Sequence, residues 1–356
     1  MALDRILLEN FRNHPATLLE GAKTFNLLVG DNGAGKTNVL EAISLLAPGR
    51  GLRRAGLGEM VREGSAGFAV SARLGGTDAV SLGTASAPGG TRRLVHVNGA
   101  ESPAARLAEW SSLTWLTPAM DRLFADSAGA RRRFLDRLVL AVEPGHARLA
   151  ARYEAALRER NRLLSGEAEP DPAWLDAIEA QLAETGAAVA AARRRLVDAL
   201  DAALKALPEA PFARPALTYA AALPSEPAAM AAALAEGRRR DRAAGRTLDG
   251  PHRDDLAVVL AAKGQPAGEC STGEQKAMLI AIVLAHAGLL DRARPRILLL
   301  DEVAAHLDPT RREALFARLR EGEGQYWLTG TELGPFAAIR DEAAVWQVSE
   351  GAAERV

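Results

Sequence analysis

Three short segments carry residues whose types and spacing could do chemistry on a triphosphate. Gly30-Asp31-Asn32-Gly33-Ala34-Gly35-Lys36-Thr37 follows the pattern G-x-x-x-x-G-K-T, in which glycines turn successive backbone N–H groups inward around phosphate oxygens. Lys36 is placed to bridge the β and γ phosphates and the Thr37 hydroxyl to ligate Mg2+. Asn38 follows them into the first turn of a helix whose N-terminus favours an anion. Far along the chain, the apolar run at 296–300 ends in Asp301-Glu302. Asp301 suits the metal's outer contact, and Glu302 can polarise an attacking water. In Cys270-Ser271-Thr272-Gly273-Glu274, a serine stands three residues ahead of a glutamate, a capping box that opens a helix. The same hydroxyl and the free N–H groups behind it also make an anion site.

Positioning these groups takes strands that end at the loops and helices that start there. Residues 3–10, 16–19 and 25–29 read as strands, the last ending at Gly30, with a helix following Thr37. Residues 65–100 are rich in Gly, Ser, Thr and Val and include Asn98-Gly99, a hairpin signal, so they predict a small antiparallel sheet. Between about 120 and 245 the chain turns into alanine- and arginine-rich helices. Leu149, Tyr153, Ala156 and Leu163 line one of them, over 143–164. Leu175, Leu182, Val189, Leu196 and Ala203 recur every seven residues in another, over 172–207. The polar stretch 165–171 between them predicts an antiparallel helical hairpin, far too short for an extended coiled-coil arm. Residues 208–235, punctuated by Pro208, Pro211, Pro215, Pro224 and Pro227, read as irregular. Strand patterns return at 256–260, 296–300 and 325–329, so both ends of the chain are expected to build one sheet around a helical insertion.

Composition narrows the class. At 356 residues the chain exceeds one average domain, and 48% apolar with 25% charged residues is globular. The longest apolar stretch, 277–290, contains His286 and falls short of the roughly 20 residues that cross a bilayer. Asp4, Arg5, Glu9 and Arg12 interrupt any secretory h-region, so a cytoplasmic location is expected. Cys270 is the single cysteine, which excludes an intrachain disulfide and a cysteine zinc cage. With 44 basic against 45 acidic residues, any nucleic-acid contact must be local. The arginine clusters at 131–133, 193–195, 238–242 and 53–54 read first as solvated faces, with phosphate contact as the alternative. No aromatics interleave with them, so duplex backbone contact fits better than stacking on unpaired bases. His252, beside Arg253, Asp254 and Asp255, reads as part of a polar structural network.

A capped serine segment followed by a strand ending in Asp-Glu, together with the phosphate loop, resembles the ABC-type ATPase head. Further segments narrow the resemblance to the RecF family of bacterial recombination mediators. They are Leu8-Glu9-Asn10-Phe11-Arg12-Asn13, Ala130-Arg131-Arg132-Arg133-Phe134-Leu135-Asp136, Leu157-Arg158-Glu159-Arg160-Asn161-Arg162-Leu163-Leu164, Gly250-Pro251-His252-Arg253-Asp254-Asp255-Leu256 and Ser271-Thr272-Gly273-Glu274-Gln275-Lys276. The match runs from about 3 to 330.

This resemblance implies an α/β fold of the ABC-type head, a mixed sheet around the phosphate-loop helix, with an inserted helical lid lobe. The expected division is head over 1–115, lid over 116–245 and head again over 246–356. ATP and Mg2+ are the implied cofactors. The implied behaviour is ATP-dependent homodimerisation, weak DNA-stimulated ATPase activity acting as a switch, and sequence-independent binding of duplex or gapped DNA. RecR, RecO and RecA are the implied partners, with RecA loaded at gaps. Arg12 and Asn13 match positions that reach the nucleotide. Ser271, Gly273 and Glu274 of one copy would cover the nucleotide held by the other, and Asp308 matches a loop that crosses the interface. The chain departs from the wider pattern in three places: Tyr326-Trp327-Leu328-Thr329-Gly330-Thr331 offers threonines where many such enzymes have a sensor histidine, Ala304-Ala305-His306 replaces a more polar stretch, and no glutamine loop is placed. Two other readings stand beside this one, the nucleotide-binding subunit of an ABC transporter and an SMC-like head.

Overall fold

Burial along each segment follows from its pattern. In strand β1 (Leu3–Phe11), Leu3, Ile6, Leu8 and Phe11 point inward, with a register shift between Leu3 and Arg5. Strand β3 (Phe25–Val29) is buried throughout, as a central parallel strand covered on both faces should be. The computed structural model describes residues 2–76, 79–87, 89, 92–208 and 210–356, the side chain of His306 excepted. Contacts divide the chain into two units, one formed by the chain up to Asp121 together with His286–Val356, the other by Arg122–Ala285.

The first unit holds two six-stranded sheets. One is antiparallel and runs in the order β2 (His14–Glu20), β1, β4 (Ala69–Leu74), β5 (Val80–Ser86), β6 (Arg93–Val97), β7 (Ala100–Glu101). The other runs β15 (Ala352–Arg355), β14 (Ala343–Ser349), β3, β13 (Gln325–Gly330), β12 (Arg296–Leu300), β8 (Ser112–Leu116). It is parallel except for β15. Helix α1 (Lys36–Ser44) buries Val39, Leu40, Ala42 and Ile43 in a core shared by residues of both sheets, among them Ile6, Leu28, Leu82, Trp327 and Trp346. The unit also contains α2 (Leu57–Met60) and α9 (Pro309–Glu321).

The second unit begins with α3 (Ala128–Val142), α4 (His146–Leu164) and α5 (Pro172–Ala206). The last two form the antiparallel hairpin that the sequence predicts, joined through Tyr153, Ala156, Leu182, Ala183 and Val189. Asp171 caps α5 by accepting from the Ala173 N–H. Next come β9 (Pro215–Ala220), α6 (Pro227–Glu236), α7 (Arg238–Ala243), β10 (Asp255–Leu260), β11 (Gln265–Pro266) and α8 (Thr272–Leu289), whose last turn falls in the first unit.

Two expectations are corrected here. Residues 208–235 contain a strand and a helix, because Pro215 opens an edge strand and Pro227 stands in the first turn of α6, positions that proline tolerates. The strand at 256–260 pairs with β9 and β11 in a three-stranded sheet of the second unit, not with the strands of the chain ends.

Candidate nucleotide-binding site

The loop between β3 and α1 is shaped by what presses on it. A Cβ at Gly30 would come within 2.0 Å of the Val348 carbonyl oxygen. Gly35 has φ +116° and stands at the N-cap of α1, where no side chain caps the helix. Only glycine holds that backbone without strain, and the first N–H groups of α1 have no intrahelical acceptor. The loop is braced from behind. Asn13 Nδ2 donates to the Ala34 carbonyl at 3.0 Å, Asn38 Nδ2 donates to Asn13 Oδ1 at 2.7 Å, and the Gly351 N–H donates to the same Ala34 carbonyl at 3.1 Å. His14 is fully buried, and burial lowers its pKa against the raising effect of the Gly35 and Gly351 carbonyls. Its Nε2 lies 3.1 Å from the Gly35 carbonyl, and the Thr17 hydroxyl is shared between Nδ1 (2.8 Å) and the Gly351 carbonyl (2.9 Å). Lys36, only 4% exposed, donates to the carbonyls of Gly30 (2.6 Å) and Asp31 (2.8 Å).

The two halves of the motif meet on one carboxylate. Thr37 Oγ1 donates to Asp301 Oδ1 at 2.9 Å, and Thr329 Oγ1 donates to the same oxygen at 2.8 Å. In the sheet, β13 lies between β3 and β12, so Thr329 at its end stands between the loop strand and the acidic strand. It also accepts from the Glu302 N–H at 2.8 Å. Burial raises the pKa of Asp301, opposed by the two hydroxyls and reinforced by Glu302. Glu302 is half-buried with φ +53°, a left-handed conformation that costs roughly 1 kcal/mol or more for a side chain of this kind.

Arg12 reaches α1 by an indirect route. Its Nε and Nη2 bind both oxygens of the fully buried Glu41 at 2.9 and 2.8 Å, and Nη1 donates to the Glu59 carbonyl at 2.7 Å. Arg53 shares the same carboxylate at 2.7 Å and donates to Asn38 Oδ1 at 2.6 Å. Two guanidiniums on one carboxylate leave a surplus positive charge beside the loop. The sequence does not single out Glu41, and it marks Arg53 only within the pair 53–54, read first as a solvated face. The available signal was a lone carboxylate among Val39, Leu40, Ala42 and Ile43 on a helix that buries all of them.

Ser271, Gly273 and Glu274 belong to the second unit. Ser271 and Gly273 are exposed, and the capping box is closed: the Ser271 N–H and hydroxyl donate to Glu274 Oε2 at 3.0 and 2.8 Å, and the Glu274 N–H donates back at 3.3 Å. Bonds from Lys263 and Ser271 hold the Glu274 carboxyl at about 2. Among the described residues, nothing beyond its own helical turn lies within 4 Å of where a Cβ on Gly273 would be. Asp308 is the exposed N-cap of α9, accepting from the Arg311 N–H at 3.0 Å. Of the threonines at the end of β13, Thr329 is the one that meets Asp301.

Most of the arginine clusters turn out to be paired. Arg131 binds Asp255, Arg193 binds Asp136, Arg195 binds Glu143, and Arg238 binds Glu179 and Asp176. His252 takes the structural role read for it, with Nδ1 2.7 Å from the Tyr153 hydroxyl.

Known proteins share both sequence and fold with this chain. The family described as RecF/RecN/SMC N terminal domain matches residues 2–329. The DNA replication and repair protein RecF of Mesorhizobium japonicum is 49% identical, over 98% of this chain and 96% of that protein. The protein of the same name from Rhizobium leguminosarum bv. trifolii is 45% identical over 99% and 98%. The solved structure of the recombination mediator protein RecF with ATP, in the RecFOR pathway, has a TM-score of 0.86 at 23% identity over 99% of both chains. The Smc head domain from Pyrococcus furiosus has 0.57 at 16% identity, over 100% of this chain and 96% of that one. These neighbours fix the architecture as an α/β ABC-type ATPase head, and the identity to the curated relatives, sustained over nearly the whole of both chains, means that the chain belongs to the RecF family.

Proposed function

We propose that the chain is an ATP-switched DNA-binding protein of recombinational gap repair. Two copies close over ATP and grip DNA, act with RecR and RecO to load RecA, and let go after slow hydrolysis. The observation that carries this reading is the 2.9 Å contact of Thr37 with Asp301, 264 residues apart, beside an uncapped helix N-terminus and a buried lysine. Support comes from the relatives named as DNA replication and repair proteins and from the RecF structure with ATP.

The residues fit Mg2+. Thr37 and Asp301 offer hard oxygen donors, and among the described residues no cluster of three or more His, Cys, Asp or Glu forms a closed metal cage. Mg2+ prefers such a partial set, completed by phosphate and water. When bound, it supplies neutralisation of charge on the β and γ phosphate oxygens. Lys36 moves its three donors from loop carbonyls to phosphate. Glu302, aimed by its left-handed backbone and the Thr329 hydroxyl, polarises the attacking water. Among the described residues Gly273 meets nothing beyond its own helical turn, and the exposed start of this helix suits a phosphate held by a second copy. Thr329 replaces a histidine sensor, so the hydrolysis is slow and ATP acts chiefly as the link between copies.

Glu302→Gln tests the switch. Sedimentation with ATP should show a stable dimer at unchanged ATP affinity, with turnover lost. A variant that binds ATP and stays monomeric would refute pairing over the nucleotide.

A further inference from the structure

Three segments that resemble RecF take no part in the nucleotide site: 130–136, 157–164 and 250–256. The second unit brings the first and third together. Asp136 accepts from Arg193 Nε and Nη2 at 2.7 and 2.8 Å, with His146 Nε2 at 3.0 Å, and Arg193 Nη1 donates to the Pro251 carbonyl at 2.6 Å. Arg131 binds both oxygens of Asp255 at 2.8 and 2.7 Å. Asp254 accepts from the Ala222 N–H at 2.7 Å and from the Tyr219 hydroxyl. Asp126 accepts from the Ser127 N–H at 2.5 Å. The carboxylates of this region are thus each engaged locally.

Arg132, Arg133 and Arg253 are left without carboxylate partners of this kind. Arg132 Nη1 donates to the Asp254 carbonyl at 2.6 Å, which sets it beside Arg253 in the chain. Arg132 Nη2 and Arg133 Nη1 lie 3.6 and 3.2 Å from the position that a Cβ on Gly129 would take, so both guanidiniums flank the first turn of α3. Arg133 and Arg253 are exposed, and Arg132 is half-buried. Burial lowers the pKa of Arg132, and the charges of Arg193 and Arg253 add to that, opposed by those of Asp255 and Asp254. His252, also lowered by burial, faces Arg253 and Arg132 and adds no compensating charge. Two cations at the positive end of α3, with Arg253 close enough to act on Arg132, repel one another and the helix dipole, and the network beneath them holds them there.

We infer that Arg132, Arg133 and Arg253 form a contact site on the second unit for the phosphodiester backbone of duplex DNA. It rests on the DNA-binding reading above and says where part of the grip lies. Guanidinium forks match phosphate oxygens two at a time. Among the described residues the exposed large apolar side chains are Leu18, Trp174 and Val356, none of them in these segments, so base stacking has no platform here. The site reads phosphate and not sequence.

The test is fluorescence anisotropy of a labelled duplex with the full chain, ATP and Mg2+, across a KCl series. Arg133→Ala with Arg253→Ala should weaken binding equally for unrelated sequences and reduce the slope of log K against log salt by about 2, roughly one per arginine. Lysine at both positions should restore most of the slope. ATP affinity should not change. Arg239→Ala with Arg246→Ala, which removes two exposed arginines elsewhere in the unit, should leave the slope unchanged. An unaltered slope in the 133/253 variant overturns the site, and so does an equal loss in the 239/246 variant. If the unsubstituted chain with ATP fails to bind duplex at low salt, the DNA-binding reading itself falls.

Discussion

Charges in the nucleotide site and in the core of the second unit are satisfied in different ways. Around the phosphate loop, the Lys36 ammonium rests on two neutral carbonyls and Asp301 on two neutral hydroxyls. In the second unit, Arg160 is wholly buried and bound to Glu179 at 3.0 Å, Asp241 at 2.6 Å, the Thr247 hydroxyl at 2.8 Å and the Leu234 carbonyl at 2.8 Å. Glu179 also takes Arg238, and Thr247 is held by Asn161. Ions matched to opposite ions leave nothing for a ligand to improve, so that cluster is scaffold. Ions matched to neutral dipoles can exchange them for a ligand's charge, so the loop is ready to bind.

The largest effects should come from breaking each kind in turn. Arg160→Met leaves the buried Asp241 without its close guanidinium and Glu179 with Arg238 alone, and should cost about 3–5 kcal/mol in urea unfolding. ATP affinity should be unaltered at temperatures where the variant is folded. Lys36→Met should do the reverse. It should weaken ATP on the order of 100-fold, as loss of a charge-assisted contact of ~3 kcal/mol would, and change stability by less than ~1 kcal/mol, because it leaves only neutral carbonyls behind. If calorimetry and unfolding showed Lys36→Met destabilising the fold as much as Arg160→Met, the distinction would be lost.

Arg93 sharpens the rule, since it too is a cation on neutral carbonyls. It donates to the carbonyls of Leu45, Ala47 (3.3 Å) and Gly49 (2.6 Å) and to the Thr84 hydroxyl (2.8 Å), and burial pushes it down to about 10. Here the carbonyl end of α1 supplies the compensation. Arg93→Met should cost about 2 kcal/mol and, by loosening the segment that carries Arg53, weaken ATP less than Lys36→Met does. An ATP affinity equal to the parent's, measured by titration with a fluorescent analogue, would separate Arg93 from the site.

What the sequence made legible was local. The sequence places the helical hairpin at 143–164 and 172–207 against α4 at 146–164 and α5 at 172–206, because the apolar recurrence along each helix and the polar break at 165–171 are encoded locally. The phosphate loop was legible for the same reason. Residues 256–260 read as a strand, but their longer pairing is with β9, on the far side of α6 and α7 in the chain, and periodicity carries no information about which edge a strand joins. Thr329 was noticed only as the absence of a histidine. Its role depends on β13 lying between β3 and β12, which no local pattern states. The same holds for Glu41 and Arg53, whose types are common and whose meeting is tertiary.

The smallest predicted effect concerns a scaffold ion that is not fully enclosed. Burial works against the Asp136 carboxylate, yet bonds from His146 and Arg193 hold it down at about 2, below the ordinary 3.8. A depressed folded pKa contributes stability that is complete above the ordinary value and is lost as pH falls through the folded one, here from about 4 towards 2. The contribution is at most about 2 kcal/mol, reduced by solvent at a carboxylate that remains 31% exposed. Asp136→Asn should therefore be less stable than the parent at pH 6, and the gap should close between pH 4 and pH 2. A gap that persists unchanged at pH 3 would mean that Asp136 acts through its shape and hydrogen bonds and not through its charge, and that the second unit is held less by ion matching than the comparison with the nucleotide site requires.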